Sequence, residues 1–478
     1  MSRRSSPHRA ARIGLAFLLS LGVAAGLIAV AGPASAAGAA NPFSPAYGHP
    51  YRHGAIPTRT ANNQMRSYQA AHSVATPDTA DNLSYRGGGD GIGVTTGAEK
   101  VYLVFWGSQW GSSNTDGNNN TTLSGDPSHM APRLQQLMKG LGVNNEQWSV
   151  VMTQYCEGVA AGAQTCLPSA PHVGYPTGGA FAGIWVDTRT AAPGSANGHQ
   201  IAFEAVEAAT HFGNTAASAN RNAQYVIVSP HGTTPDGFNA GAPFCAWHDW
   251  NGDSRLTGGA ASSSVGDIAF TNLPYLTDVG ADCGQGFVNS GDAGTLDGVT
   301  IVEGHEYAET ITDQTFGGWV DSSGNENGDK CIWLRTGPGA SANVAFSTGS
   351  FAMQSTWSNR VSGCQTIAGP PARLVALSGD GELVPVRQNI PAPVVQVQDA
   401  NGAGVANVPV TFTVSGRASL ADGGRTMTVM TDLGGQAMCG SLRAGNVTGT
   451  ATITASSDLL APITFTDVIT TPDGGLPH

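Results

Sequence analysis

The sequence predicts a mixed α/β (α+β) body followed by an all-β sandwich. Three observations carry this reading. Between about residues 100 and 315, short apolar runs of strand length alternate with stretches of helical spacing. After Gly369-Pro370-Pro371 the chain turns Val/Thr-rich, with apolar and polar residues alternating. Gly (65) and Pro (27) are abundant, and charged residues make up only 12% of 478, which favours strands and loops over a helical bundle.

Taken in order, the first 36 residues read as an export signal. Arg3, Arg4, Arg9 and Arg12 precede an apolar run over 13–31 and an Ala34-Ser35-Ala36 cleavage site. The competing reading is an uncleaved anchor, against which Pro33 and the small residues speak. No later stretch is long and apolar enough to span a membrane. Residues 37–95 are polar and Pro/Gly-rich, the composition of a propeptide or an extended N-terminal arm. Within them His49 and His53 lie four apart, but Pro50 breaks any helix, so both are expected to be loop residues rather than ligands.

The main body is expected over 96–368. Residues 101–106 (Val-Tyr-Leu-Val-Phe-Trp) form a buried-strand run, 130–141 a helix, 149–154 a strand, 199–211 a helix and 225–229 a strand ahead of Pro230-His231-Gly232. The remaining region, 369–478, places strands at 394–399, 408–414 and 448–455, a turn-strand unit at 431–437 and a turn at Ala400-Asn401-Gly402. It carries no catalytic cluster.

The chemistry concentrates in Gly304-His305-Glu306-Tyr307-Ala308-Glu309, an H-E-x-x-E pattern. On a helix His305 and Glu309 share a face, where an imidazole and a carboxylate grip one metal ion. Glu306 stands where a general base for a metal-bound water would stand. Thr300 and Glu303 have capping-box spacing and are expected to start the helix; Gly317-Gly318 would end it after Asp313. Gly304 costs about 1 kcal/mol relative to Ala in a helix interior, which signals close approach of a backbone or a ligand.

From Asp297 to Asp329 eight acids (Asp297, Glu303, Glu306, Glu309, Asp313, Asp321, Glu326, Asp329) occur with no intervening Lys or Arg. Glu309 and Asp313 are four apart and repel, a conflict that a bound cation removes. The alternative is an acidic surface helix or, for Glu326 and Asp329, a polar turn. His231, after a strand end, and His248, in an aromatic cluster beside Cys245, are further candidates to stabilise an oxyanion or replace a ligand; each also fits a hydrogen-bonded loop histidine. Seven cysteines imply disulfides: Cys156 and Cys166 can close a local loop, Cys245–Cys283 and Cys331–Cys364 is the sequential guess for four more, and Cys439 is left over.

Three resemblances follow, two from these residues and one from the C-terminal strands. In thermolysin-like enzymes a downstream glutamate supplies the third zinc ligand and an aspartate just beyond orients a ligand histidine. Glu326 and Asp329 are similar in placement, although Glu309 stands where the second histidine would be. A His-Glu-Glu set is harder and more anionic; it still suits zinc, tolerates manganese or calcium better, and keeps the pKa of bound water higher. Over about 101–364, the His305-Glu306-Tyr307-Ala308-Glu309-Thr310 helix, Trp319 and the Glu326-Asn327-Gly328-Asp329-Lys330-Cys331 segment resemble the plant phosphate-induced, exordium-like family and its secreted bacterial relatives. That family is associated with cell expansion and the wall, so this resemblance implies a metal site more than a peptidase. The C-terminal region resembles bacterial immunoglobulin-like domains of the invasin type, which act as spacers or adhesive arms.

The expectation is a secreted, extracellular metal-dependent hydrolase, zinc foremost, with Mn2+ or Ca2+ as alternatives, acting on an extracellular protein or peptide. His305, Glu309 and Glu326 hold the metal, Asp329 supports or substitutes, and Glu306 is the base. The alternative is a non-catalytic cell-wall-binding or adhesive protein with a structural metal and a wall polymer as partner. Structural sites are closed by protein ligands, so a fourth one from His231, His248 or Asp329 would favour that role. A net charge of −12 argues against nucleic acid and against anionic membranes as partners, and no membrane partner is expected after signal cleavage.

Overall fold

A computed structural model of the chain describes residues 41–72, 82–89, 91–144, 146–167, 169–369, 371–399, 404–405, 408–432, 434–457 and 460–475. The expected export signal and the turn at 400–402 lie outside these. Helix α1 (Arg59–His72) comes first, opened by Thr58, whose hydroxyl accepts from the Ala61 amide at 3.2 Å. The helix sits in the region expected to be an arm, where polar composition hid it from the sequence reading.

The centre of the molecule is a five-stranded sheet. Its strands are β1 (Lys100–Trp106), β2 (Phe181–Asp187), β3 (Ala223–Val228), β4 (Trp247–Trp250) and β5 (Ala269–Leu273), in the order β2-β1-β3-β5-β4. The first four positions run parallel; β4, at the edge, is antiparallel to β5. Every residue of β1 after Lys100 is buried, as befits a strand covered on both faces. Helix α2 (Met130–Gly140) appears where helical spacing placed it. So does α3 (Gly198–His211), started by an Asn197/Gln200 capping box. Strands β4 and β5 were not assigned from sequence; short buried runs beside aromatic residues give no clear period.

Residues 149–154 are a correction. They form a 3-10 helix, not a strand. All six are buried, so no face was polar enough to reveal a period. The Glu146 carboxylate fixes the start by accepting the Trp148 and Ser149 amides at 2.8 and 3.0 Å.

Helix α4 (Asp297–Thr312) begins earlier than the Thr300/Glu303 spacing implied and ends where expected. Asp297 anchors it by accepting the Val288 and Asn289 amides, while Thr300 lies inside, donating to the Ala352 carbonyl at 2.6 Å. The helix packs between the sheet and a hairpin of β6 (Ala342–Phe346) and β7 (Gly349–Met353). A Cβ on Gly304 would come within 2.6 Å of the Met353 methyl, so the close neighbour at this glycine is a side chain.

Further on, strands β8 (Arg373–Ser378), β9 (Leu383–Pro385), β10 (Val394–Gln398), β11 (Pro409–Gly416), β12 (Thr426–Met430), β13 (Gln436–Met438), β14 (Gly449–Ser456) and β15 (Ile463–Thr470) build small sheets around their own apolar cluster. The largest runs β9-β15-β14-β11-β12, and another runs β8-β10-β13. In β11 the buried residues are Val410, Phe412 and Val414, the period of two read from sequence.

Three disulfides join Cys156–Cys166, Cys245–Cys283 and Cys331–Cys364, the pairing set out from sequence order, and Cys439 is buried and free. Such bonds belong to an oxidising compartment. Among the described residues no helix is long and apolar enough to cross a membrane.

Candidate metal centre

Helix α4 is not an acidic surface helix, because all 16 of its residues are buried. It therefore carries His305, Glu306 and Glu309 into the interior. Strand β4 brings His248 to the same place, and the loop over 326–329 brings Glu326 and Asp329. The donor atoms converge. His305 Nε2 lies 2.9 Å from Glu309 Oε2 and 3.9 Å from Asp329 Oδ1. His248 Nε2 lies 3.4 Å from Glu326 Oε2 and 3.9 Å from Glu309 Oε2. Ligands about 2.1 Å from one tetrahedral ion stand roughly 3.4 Å apart, a separation within the range of these donor pairs.

The unpaired atoms make the same case. His248 Nδ1 and Nε2, Glu309 Oε2, Glu326 Oε2 and both Glu306 oxygens are buried without a hydrogen-bond partner. Orphaned buried carboxylates are costly unless a cation meets them. Burial, reinforced by neighbouring carboxylates, pushes Glu306, Glu309 and Glu326 well above the usual carboxylate range. Burial raises Asp329 to about 6 and Asp313 to about 8. It also pushes His305 down to about 3 and His248 down to about 4. Without a cation each group is driven to its neutral form; a divalent ion inverts that logic. The residues present fit such an ion.

The supports around the donors are local. Glu309 Oε1 accepts the Asp329 amide at 2.8 Å, which leaves Oε2 for the cluster. Gln354 offers Oε1 to His305 Nδ1 at 3.3 Å while its amide donates to the Gly328 carbonyl at 3.0 Å. That arrangement fixes the ring through Nδ1 and leaves Nε2 facing Glu309 Oε2 and the Gly54 carbonyl. Gly328 must be glycine here, since a Cβ would lie 2.7 Å from His305 Nδ1 and 2.9 Å from Glu309 Oε1. The Cys331–Cys364 bond tethers the loop just beyond Asp329, and Cys245–Cys283 tethers the chain just before His248. A cleft of about 1490 Å³, lined in part by Gly54, Asp321, Glu326 and Asp329, leads to the cluster.

His231 is not part of it. Its side chain is 59% exposed, Nδ1 pairs with Asp278 Oδ1 at 2.5 Å, and the ring packs edge-on against Tyr275. The expectation that His231 joins the site is corrected: the loop after β3 turns it to the surface. His49 and His53 are loop residues as expected, hydrogen-bonded to Tyr51 and to Arg255. Of the acidic run, Asp297, Asp313 and Asp321 hold backbone amides, while Glu303 is buried with neither oxygen hydrogen-bonded.

Sequence reasoning missed Gln354 and Gly54. Gly54 sits directly over the cluster, its carbonyl 3.1 Å from His305 Nε2. A Cβ there would fall 2.1 Å from Glu309 Oε2 and 2.3 Å from His248 Nε2. A lone glycine in a polar segment gives no signal of this.

No protein-family model and no curated protein matches the sequence. Among solved structures, parts of the chain are similar to invasin, a bacterial integrin-binding protein, at 23% identity and TM-score 0.18, over 21% of this chain and 19% of that one. A C-terminal fragment of intimin, in complex with the intimin-binding domain of its translocated receptor, matches at 20% identity and TM-score 0.16, over 22% and 34%. A β-glycosidase from Bacteroides vulgatus matches at 16% identity and TM-score 0.17, over 22% and 15%. The chain thus spans between 15% and 34% of the length of these proteins. The exordium-like and thermolysin-like resemblances rest on the motifs quoted for them alone.

Proposed function

We propose that the protein is a secreted metal-dependent hydrolase, zinc foremost, acting on peptide bonds. The observation that supports it is a buried cluster in which donor atoms of His305, Glu309 and Asp329, and of His248, Glu306 and Glu309, lie within 4.8 Å of one another, those of His248 and Glu306 and one of Glu309 without a hydrogen-bond partner. His305 Nε2 and Glu309 Oε2 would hold the ion with Asp329 or Glu326 as the third ligand, and His248 Nε2 stands 3.9 Å from Glu309 Oε2. A bound divalent ion supplies Lewis acidity, polarising a carbonyl and lowering the pKa of water. Glu306 then has the part of a proton carrier. It is buried, both its oxygens are free of hydrogen bonds, and a carboxyl oxygen lies within 4.8 Å of donor atoms of His248 and Glu309. It takes a proton from the attacking water and returns it to the leaving amine. Gln354 and the Asp329 amide keep His305 and Glu309 aimed. Export is supported by the N-terminal pattern and the three disulfides, and the C-terminal strands are read as an immunoglobulin-like spacer or adhesive arm.

One observation favours a second reading. His248 and Asp329 stand in the cluster beside His305, Glu309 and Glu326, the additional protein donors of a closed, structural site. Hydrolysis of an unfolded protein substrate separates the two, measured with and without chelator on wild type and on Gly54→Ala, whose added Cβ drives the overlying segment from the cluster. Chelator-sensitive cleavage restored by Zn2+ supports the hydrolase. A metal-loaded Gly54→Ala chain that cleaves nothing leaves the structural reading.

A further inference from the structure

We infer that the edge of β4 covered by residues 51–57 is a peptide-binding groove that takes an extended peptide antiparallel to β4, with glycine at the carbonyl facing the metal cluster and arginine two residues before it, held by Asp236. The inference rests on the hydrolase reading for its chemistry, and it adds the substrate class. The chain's own segment over 51–57, Tyr-Arg-His-Gly-Ala-Ile-Pro, occupies the groove and records its subsites.

The backbone contacts are those of an added strand. His53 bridges His248 and Pro57 bridges Phe244, both antiparallel. The His248 amide donates to the His53 carbonyl at 3.2 Å, Cys245 to Ile56 at 2.8 Å, and Thr58 to Pro243 at 3.0 Å. The Trp333 indole donates to the Pro57 carbonyl at 2.7 Å. Strand addition of this kind draws affinity from the main chain and specificity from pockets for the side chains.

Two positions are selective. At Gly54 the backbone takes φ +48, and a Cβ would overlap Glu309 and His248, so no side chain fits. At Arg52 the fit is to charge. Its Nε lies 2.7 Å from Asp236 Oδ2, its Nη2 donates to the Asp236 carbonyl at 3.0 Å, and its Nη1 donates to the Pro45 carbonyl at 3.2 Å. The guanidinium lies 4.5 Å from the centre of the Phe244 ring. Both side chains of the pair are about 5% exposed, Arg52 at 5% and Asp236 at 6%. Tyr51 donates to the other Asp236 oxygen at 2.8 Å. Asp236 is itself held in a left-handed turn, φ 51, by its amide bond to the Ala196 carbonyl at 2.7 Å. A buried, unpaired Asp236 would be costly, so the groove discriminates strongly for a cation at this position. Beyond Gly54, Ala55 and Ile56 are buried, which calls for small and aliphatic residues there. The Ile56 amide faces the Glu306 carboxyl, short of a hydrogen bond. Asp236, Phe244, His248 and Trp333 belong to the body, so a separate peptide meets the same groove once the segment is displaced; while in place, the segment keeps it filled.

The test is binding of a fluorescent, end-blocked Tyr-Arg-His-Gly-Ala-Ile-Pro peptide to the full chain. The Gly54→Ala chain is expected to bind it at least about ten-fold more tightly than wild type. The same peptide with Glu in place of Arg is expected to bind that variant at least about ten-fold more weakly. Circular dichroism checks folding, and Arg52→Ala, which loosens the segment without touching the cluster, serves if Gly54→Ala misfolds. Equal binding by wild type and folded variants, or equal binding of the Arg and Glu peptides, overturns the groove. Metal content is measured on the same samples: metal retained without peptide binding sinks the groove alone, and absence of metal from wild type sinks the hydrolase reading instead.

Discussion

Helix α4 and strand β14 bury different kinds of residue. In β14 the buried positions are Ala451, Ile453 and Ala455, and the threonines between them reach outward. In α4 every position is buried, Glu303, Glu306 and Glu309 included. The strand follows the rule that apolar groups go inside; the helix breaks it several times in one element. A fold tolerates such a departure at functional sites, so the proposed hydrolase reading places the chemistry on α4 and treats the C-terminal strands as scaffold.

Substitution at the two places should therefore fail in different ways. His305→Ala is expected to lose both bound metal and hydrolysis, read by elemental analysis and a peptidase assay. Glu306→Gln keeps size and one hydrogen bond but cannot accept the proton. It should lower the rate by about 10²- to 10⁴-fold with metal and melting temperature near wild type. Full activity in Glu306→Gln, or release of its metal, would show that Glu306 is not the base. In the scaffold, Phe412→Ala should cost about 3–5 kcal/mol in denaturant unfolding while leaving metal content unchanged. A loss of metal there would erase the distinction between the regions.

A fourth prediction concerns pH. Burial raises Glu99 to about 8 in the folded chain from 4.5. Between those values the unfolded state is ionised and the folded state holds the proton. The contribution is thus fully present below about 4.5 and is lost as pH rises through about 8, at about 1.4 kcal/mol per pH unit. Urea midpoints for wild type and Glu99→Gln should diverge from pH 5 to 8, with the variant gaining. Parallel curves would mean that Glu99 is ionised in the fold.

What was legible depended on whether the signal was local. The i, i+4 spacing put His305 and Glu309 together before any fold was known, because helix geometry alone fixes it. Alternation announced β11 and β14 for the same reason. Glu326, Asp329 and His248 could be shortlisted by type, but only sheet order and the loop after α4 decide that they meet and that His231 does not. The run over 149–154 was misread because a fully buried segment shows no period. Gln354, Gly54 and Asp236 carry no local mark; their importance comes from what the fold lays beside them.

The most direct measurement is the metal content of the purified full chain, with thermal unfolding before and after chelation. One divalent ion per chain is expected, with melting lowered by chelation and restored by Zn2+; saturation at about 100 times Kd corresponds to about 2.7 kcal/mol. A chain without stoichiometric metal whose melting is unchanged by chelation would contradict the account.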